Sequence, residues 1–594
     1  MRADPRVPGP GGPELAGRRN AVPWIALAAI LLLGAGLRFG CIDAGLPAVF
    51  LSDEELVTKN ALSLGARRTL EPLYFEYPTF EIYLLAALYA ALFVAGSLAG
   101  AYEGATDFAV RFFIDPTPVY LVGRAASAAM SLGAVVVVYL LGRRLYGARA
   151  GLFGALLLAL GIESAREAAL ATPNAPLAFL AILAFLPIEA VARRGTLRDY
   201  LLAGATIGLS VSAKYNSGLL VIPLLVAHFG AGARRPGQWL FLALAVAAAT
   251  FLLVTPYWVL SFGDYLDGYL YSSSHMRIGH VGHMGKTPVL WAVREILSQE
   301  RTAALLAFAG GLLALRRRSR GDVLLLSFLV PSFLAIASLK NQQLDYLASL
   351  WPPAAILGGR ALEAVLGRGP LRRSRMLATF AGSLLVAPSL LGAVGELRRA
   401  RSTDTREVAR DWIEKSIPSG SGIAYDKYHY EPRLLDAGRA GRSKVGRQYV
   451  GDRFAARLEE ALRGLATYRL VPIIVPTDEP DLTGVVLDAP IPDSLQARIV
   501  RDRFLSRDFS SRSRSVDELI AEGAEYVLLS SQWTDRFLVA PPPPADSPLR
   551  LFWMRERTHL EGLIADPRVV EFRRWAPGAG LVGPRVTLYR IAPR

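Results

Sequence analysis

Asp53 and Glu54 form an acidic pair just past the first long apolar segment, in the stretch LSDEELVTKNAL. Adjacent carboxylates at a membrane surface can supply a general base or bind a metal ion. Ser52, Asp53, Glu54 and Glu55 also make a good helix start, because acids are stabilised at the positive end of the helix dipole. The local pattern leaves all three interpretations open.

Other polar residues lie inside or between apolar segments, where a charge is costly. Glu76 stands two residues before a proline, which indicates either a functional contact or a helix start. Arg124 lies inside an apolar segment and Arg166 at the end of another. Burying such a charge in a bilayer costs about 2.5–3.5 kcal/mol, so both should face the bundle interior or a polar cavity, unless Arg124 extends to its helix end. Lys214 and Tyr215 form a polar turn that either binds a phosphate group or caps two helices.

Three of the six histidines, His275, His280 and His283, fall within nine residues of SSSHMRIGHVGHMGK. Neutral histidine is a metal ligand, which makes His280 and His283 candidate ligands of a divalent ion. Two other interpretations remain: binding of a phosphate or substrate together with Arg277, and an ordinary glycine-rich loop.

The elements that carry these residues are apolar helices. Hydrophobic residues make up 52% of the 594 residues, and runs such as 238–258 approach the roughly 20 residues that cross a bilayer as a helix. The net charge is +15, but the arginine clusters lie in short gaps between apolar runs, as the positive-inside rule requires, so we expect no nucleic-acid partner. Cys41 is the only cysteine and excludes an intramolecular disulfide.

Alternating basic and less basic gaps predict about eleven spans in an inner membrane, with the N-terminus in the cytoplasm and the C-terminus outside. The predicted spans are 22–42, 120–142, 150–163, 175–192, 199–213, 216–232, 238–259, 302–316, 321–338, 346–366 and 376–396. Residues 79–100 are equally apolar, but a crossing there would move Arg143 and Arg144 outside. We therefore predict a helix that lies at the outer face or packs in the bundle.

The composition changes near residue 397. An amphipathic segment precedes strand-like runs bounded by Pro, Gly and Asp, such as 470–475 and 525–530. The sequence thus predicts a cytoplasmic tail over 1–21, a polytopic α-helical membrane domain over 22–396 and an extracytoplasmic α/β domain over 397–594.

An ordered series of segments carries a family resemblance over most of the first 420 residues. The series includes EYPTFEIYLL, GLSVSAKYNSGLLVIPLLVAH, TPYWVL and DTREVARDWIEKSIPSG, after the acidic pair. It resembles the bacterial family 39 glycosyltransferases, relatives of protein O-mannosyltransferases and aminoarabinose transferases with the GT-C membrane fold.

The resemblance implies a polyprenyl-phosphate sugar as donor and inverting transfer to an acceptor hydroxyl of a protein, lipid or glycan on the outer face. Asp53 would then be the base, supported by Glu54. The implied contacts to the donor phosphate or substrate are Glu76, Arg124, Arg166, Asn174, Lys214, Tyr215 and Arg277.

Asn174 departs from the family pattern, because many relatives have an aspartate there. Asparagine cannot act as a base and is a poor metal ligand. Either Asn174 only orients a group, or Glu163 or Glu167 substitutes, or activity is lost. A lipid-linked sugar transporter, with polar residues at mid-membrane, and a non-catalytic scaffold are the alternative functions.

Overall fold

The computed structural model describes residues 13–230, 236–282, 288–426, 430–436, 452–481, 491–578 and 580–592. His283, one of the two predicted metal ligands, lies outside these ranges.

Helices make up the membrane region. In chain order they are α1 (Pro13–Phe39), α2 (Ser52–Arg67), α3 (Phe80–Leu98), α4 (Ala105–Ile114), α5 (Thr117–Tyr146), α6 (Ala148–Leu160), α7 (Ile162–Ala168), α8 (Asn174–Arg193), α9 (Leu197–Val211), α10 (Val221–Phe229), α11 (Gly237–Val254), α12 (Tyr257–Leu260), α13 (Phe262–Ile278), α14 (Pro288–Glu300), α15 (Thr302–Arg317), α16 (Arg320–Ala337), α17 (Trp351–Leu366), α18 (Gly369–Arg373) and α19 (Arg375–Ala400). Two 3-10 helices, Tyr215–Leu220 and Leu344–Leu350, lead into α10 and α17.

Each of the eleven predicted spans overlaps a helix, although 150–163 covers the break between α6 and α7, and 216–232 extends beyond the described residues. Among the described residues, seven helices are long and apolar enough to cross a bilayer: α1, α3, α5, α8, α11, α16 and α19. The pair α6 and α7 also qualifies when taken together, with a bend of 60° between its halves. Two differences from the prediction stand out. The helix α3 belongs to the seven, and several predicted spans are shorter helices, such as α9 with 15 residues and α17 with 16.

The core of the bundle lies among α5, α6, α8 and α17. Small residues allow the backbones to approach closely: a Cβ on Gly359 of α17 would collide with the backbone of Gly154 on α6. Such contacts are the usual basis of helix association in membranes, where lipid tails are as apolar as leucine. This packing fixes these helices relative to one another.

The C-terminal domain is α/β, as predicted. Its strands are β1 (Thr403–Asp404), β2 (Gly422–Tyr425), β3 (Leu435–Asp436), β4 (Thr467–Pro472), β5 (Ile474–Pro476), β6 (Ser511–Ser513), β7 (Tyr526–Ser530), β8 (Val569–Trp575), β9 (Leu581–Val582) and β10 (Val586–Ile591). Its helices are α20 (Thr405–Ser416), α21 (Asp452–Leu462), α22 (Asp493–Arg501), α23 (Arg503–Phe509), α24 (Val516–Ala521), α25 (Ser531–Leu538) and α26 (Leu549–Ala565). The main sheet has the order β3-β4-β2-β7-β10-β8, parallel except where β10 pairs with β7 and β8.

The C-terminal domain docks on the segment between α1 and α5, which we call the outer loop after its predicted side of the membrane. The helix α21 packs Phe454, Leu458 and Leu462 against Val110 of α4. Arginines of the domain add contacts around this apolar patch. Arg433 donates to the carbonyl oxygens of Pro47 and Phe113, Arg457 pairs with Glu103, and Arg507 pairs with Glu76.

Candidate functional site

Asp53 lies in the first turn of α2, with an exposed side chain. The hydroxyl of Ser52 is 3.4 Å from its Oδ1 atom. The carboxylate is thus at the positive end of a helix, as one interpretation of the sequence required, and it also faces a group of polar side chains. The exposed carboxylate is accessible, as a general base must be.

Polar side chains from three further gaps, which the sequence predicts to be outer, meet near Asp53. We call Tyr77, Glu167, Asn174, Lys214, Asp345 and Tyr346 the outer cluster. Lys214 Nζ donates a hydrogen bond to Asn174 Oδ1 at 2.6 Å. Asn174 Nδ2 donates to Glu167 at 2.7 Å and lies 3.4 Å from Asp345 Oδ2. One amide therefore links an ammonium group to two carboxylates.

The outer cluster holds its cation between aromatic rings. Lys214 Nζ lies 5.3 Å from the centre of the Tyr77 ring and 5.7 Å from that of Tyr346, within the range of cation–π attraction. Burial raises the pKa of Asp345, the charge of Lys214 opposes this rise, and the charge of Asp53 adds to it. Asp53 and Asp345 are therefore close enough to interact electrostatically, with Lys214 as the neighbouring cation.

Glu54 points away from this cluster and is fully buried. Its two carboxylate oxygens accept hydrogen bonds from Arg124 at 2.7 and 2.8 Å, and one also accepts the N–H of Ala171. Arg124 donates further bonds to the carbonyl oxygens of Ile42 and Ala44. The pair thus ties α2, α5 and two loops together, which fits a positioning role better than contact with a substrate.

Arg166 belongs to a second group on the other side of α7. It bonds to Glu163 at 2.7 Å, to Gln299 at 3.0 Å and to Glu396 of α19 at 3.1 Å. Arg166 and Arg124 line one cavity of about 140 Å³, together with Glu396. The structure brings these two predicted phosphate ligands to one cavity, apart from the outer cluster, and places a carboxylate beside them.

The remaining predicted contacts lie elsewhere. Tyr215 packs its ring against Tyr269 and Phe251. Arg277 is exposed, and its Nε donates to the Ser273 carbonyl one turn earlier in α13.

Glu76 accepts bonds from Tyr74 at 3.0 Å and from Arg507 of the C-terminal domain at 2.8 Å. Burial raises its pKa, against the lowering effect of Arg507. Glu76 therefore joins the outer loop to the C-terminal domain.

A metal site at the histidines gains no support from the geometry. The rings of His275 and His280 stack at 5.3 Å, and His280 Nδ1 is 2.9 Å from the Val281 carbonyl oxygen. Among the described residues, no group of three or more His, Cys, Asp or Glu could hold a metal ion.

Asp345, with Tyr77 and Tyr346 beside Lys214, and Arg507 were not in the predicted set of site residues. Asp345 was visible as an acid in the polar turn KNQQLDY between two spans, the same kind of signal that singled out Lys214. No sequence pattern distinguishes Arg507 from the many other arginines of the C-terminal domain. Its contact with the outer loop forms only when the domain docks there.

The fold and the placement of this site define the protein as a multi-pass membrane protein with the GT-C fold and a soluble C-terminal domain. The structure superposes on the oligosaccharyltransferase of Archaeoglobus fulgidus, tethered with an acceptor peptide, with a TM-score of 0.51 and 14% identity. The match covers 95% of this chain and 74% of that one. It confirms the predicted fold class.

A family model described as dolichyl-phosphate-mannose-protein mannosyltransferase matches residues 119–260, which confirms the resemblance seen in the sequence. ArnT from Cupriavidus metallidurans, bound to undecaprenyl phosphate, is a further similar structure, with a TM-score of 0.48 and 14% identity over 76% of this chain and 90% of that one. No curated protein matches the sequence significantly.

Proposed function

We propose that the protein is a glycosyltransferase that moves a sugar from a polyprenyl-phosphate donor to an acceptor hydroxyl on the outer face of the membrane, with inversion. The observation that carries this proposal is the convergence of four separate loops on Asp53 and Lys214, at the outer ends of a GT-C bundle. The family match and the fold support it, and neither favours the transporter or scaffold alternatives.

In the proposed reaction, Asp53 accepts the proton of the acceptor hydroxyl as that oxygen attacks the anomeric carbon. The bond between this carbon and the phosphate oxygen breaks, and the lipid phosphate leaves with the electron pair. Lys214 uses one of its three N–H groups on Asn174, so two remain for the phosphate that develops negative charge.

We assign positioning roles to three other predicted residues. Glu54 and Arg124 hold the first turn of α2, and hence Asp53, against α5. Arg166 holds α7, which carries Glu167 into the outer cluster. Tyr215 and Arg277 are not part of the proposed site, because their side chains contact other elements.

A divalent ion fits the outer cluster poorly. One A. fulgidus oligosaccharyltransferase structure is a complex with zinc and sulfate, so a metal is plausible for this fold. Here, however, Asn174 joins the Lys214 ammonium to Glu167 and Asp345, and Asn174 also replaces a potential acidic ligand. A divalent ion would have to share these two carboxylates with Lys214 and would lie close to its positive charge. We therefore propose that Lys214 supplies the positive charge.

We further propose an inner-membrane protein with its C-terminal domain outside the cytoplasm and α3 on that same face. Both flanks of α3 touch the C-terminal domain: Glu76 before it pairs with Arg507, and α4 after it packs on α21. A helix of 19 residues is about 28 Å long, so a crossing would put these flanks on opposite sides of the bilayer.

The proposed function is tested with purified protein and a polyprenyl-phosphate sugar. Asp53→Asn keeps the size of the side chain but removes its basicity, so transfer should fall by about 10²–10⁴-fold. Glu55→Gln is the matched control, because Glu55 lies on the same helix turn and pairs with Lys59. It should leave transfer nearly unchanged. Wild-type turnover in Asp53→Asn would rule out Asp53 as the base, and accumulated donor lipid in cells lacking the protein would identify the sugar.

A further inference from the structure

The apolar helices α6 and α7 are separated by a break at Gly161, where the chain bends by 60°. Such a break leaves carbonyl groups without helical partners at the end of α6 and N–H groups without them at the start of α7. Residues 157–163 are all buried, so these backbone groups need partners within the protein. The structure supplies one charged side chain for each side of the break.

Arg38 completes the end of α6. It lies at the end of α1 and is fully buried. Its Nη1 donates to the carbonyl oxygen of Ala159 at 2.9 Å, and its Nη2 donates to that of Leu158 at 3.1 Å. Its other three bonds, at 2.8, 3.1 and 3.3 Å, go to two hydroxyl groups and one carbonyl group, those of Ser131, Ser164 and Gly34. The five bonds match the five N–H donors of a guanidinium, and all five acceptors are neutral.

Glu300, the last residue of α14, completes the start of α7. Its buried carboxylate accepts the backbone N–H groups of Ile162 at 3.2 Å and Glu163 at 2.8 Å. The cation therefore lies at the negative end of α6 and the anion at the positive end of α7, as the helix dipoles favour. A helix of seven residues such as α7 is not stable alone, so its position depends on tertiary contacts of this kind.

The helix α7 leads directly into the outer cluster. Glu167, in its last turn, accepts hydrogen bonds from Asn174 Nδ2 at 2.7 Å and from the Thr172 hydroxyl at 3.3 Å. Asn174 in turn accepts from Lys214 at 2.6 Å. The angle of the break therefore sets the position of Glu167 and, through Asn174, that of the ammonium group proposed to bind the leaving phosphate.

We infer that Arg38 and Glu300 are positioning residues for sugar transfer, which hold the break between α6 and α7 at the angle that brings Glu167 to Asn174. The inference rests on the proposed function, because their effect on transfer passes through the group that would bind the phosphate. A buried charge in an apolar segment is costly, which indicates a role beyond packing. An arginine is required at position 38, because a lysine has only three donors, all on one nitrogen.

Hydrogen exchange of the full-length protein in detergent tests the break directly. Arg38→Met removes all five donors, and Glu300→Gln removes the negative charge at constant size. In both variants, exchange should become faster over residues 162–173 and should stay at the wild-type rate in α26 of the C-terminal domain. Arg294→Met is the matched control, because Arg294 is exposed on α14 and its loss removes the same charge. It should leave exchange over 162–173 unchanged.

Transfer rates separate a positioning role from a loss of stability alone. A small misplacement of a catalytic group costs about 10²-fold in rate, so Arg38→Met should lower transfer by about that factor. Glu167→Ala should lower transfer as well, because Asn174 loses an acceptor. If Arg38 acts through α7, the two losses are coupled, and the double variant should transfer within about twofold of Arg38→Met. A merely stabilising role would make the two losses multiply.

Arg38→Lys keeps the charge and serves if the methionine variant fails to fold. With three donors it should still exchange faster than the wild type over 162–173. Faster exchange there in a protein that transfers no sugar would support the role of both residues at the break and contradict only the proposed function. Three results would overturn the inference: wild-type exchange over 162–173 in Arg38→Lys and Glu300→Gln, multiplied losses in the double variant, or an equal loss of transfer in Arg294→Met.

Discussion

The contacts of Asn174 explain why an asparagine fits at the position where many members of the family have an aspartate. Its amide oxygen accepts from Lys214, and its amide nitrogen faces Glu167 and Asp345. An aspartate could accept from Lys214 but could not donate to either carboxylate. The asparagine therefore fits a cluster whose cation is a lysine, and it does not by itself indicate lost activity.

We predict that Asn174→Asp lowers both stability and transfer. The substitution exchanges donated hydrogen bonds for repulsion among three carboxylates, and a hydrogen bond to a charged group is worth about 1.5–3 kcal/mol. The melting temperature in detergent and the transfer rate, each measured with and without a divalent ion, check this. A variant that is more active and depends on a metal would contradict the role given to Lys214.

Glu54 and Asp53 are adjacent in the sequence but lie in different environments. Neighbouring residues on a helix point about 100° apart, so one carboxylate is buried in an ion pair while the other is exposed. Breaking a buried pair by removing one partner typically costs about 3–5 kcal/mol. Loss of Glu54 would therefore disturb Asp53 through the position of α2.

At the scale of elements, the short helix α7 lies between two groups of charged side chains. Both oxygens of Glu300 accept the first backbone N–H groups of this short helix, those of Ile162 and Glu163. This buried carboxylate stabilises the helix start where the chain bends by 60°. The next turn then directs Arg166 to one side and Glu167 to the outer cluster.

The contact between α4 and α21 is the apolar part of the domain interface, and we predict that Leu458→Ala loosens it. Leu458 is fully buried there, and Leu→Ala changes in cores cost about 2–5 kcal/mol. Hydrogen exchange should increase in α4 as well as in α21, and transfer should fall. Leu465→Ala, at an exposed leucine, is the control. Unchanged exchange in α4 would show that the exposed arginine pairs, each worth about 0–1 kcal/mol, hold the domain instead.

At the scale of the whole molecule, the prediction concerns the side of the membrane on which each loop lies. In a Cys41→Ser background, single cysteines replace the exposed residues Glu103, Arg149, Arg198 and Ala545. Those at 103 and 545 should react with an impermeant thiol reagent in intact cells, and those at 149 and 198 should be shielded. Labelling at 149 with protection at 103 would show that α3 crosses the bilayer.

The sequence alone determined the features that depend on local pattern. Apolar runs and basic gaps placed eleven helices, the change near 397 separated an α/β domain, and position in the outer gaps singled out Asp53 and Lys214. Only the tertiary structure decided which polar groups meet. Glu54 pairs with Arg124, which is 70 residues away in the sequence, and Glu76 pairs with Arg507, which is 431 residues away. Lys214 donates a hydrogen bond to Asn174. Hydropathy is read along the chain, whereas these partners are set by how helices pack and how the C-terminal domain docks, which no local pattern contains.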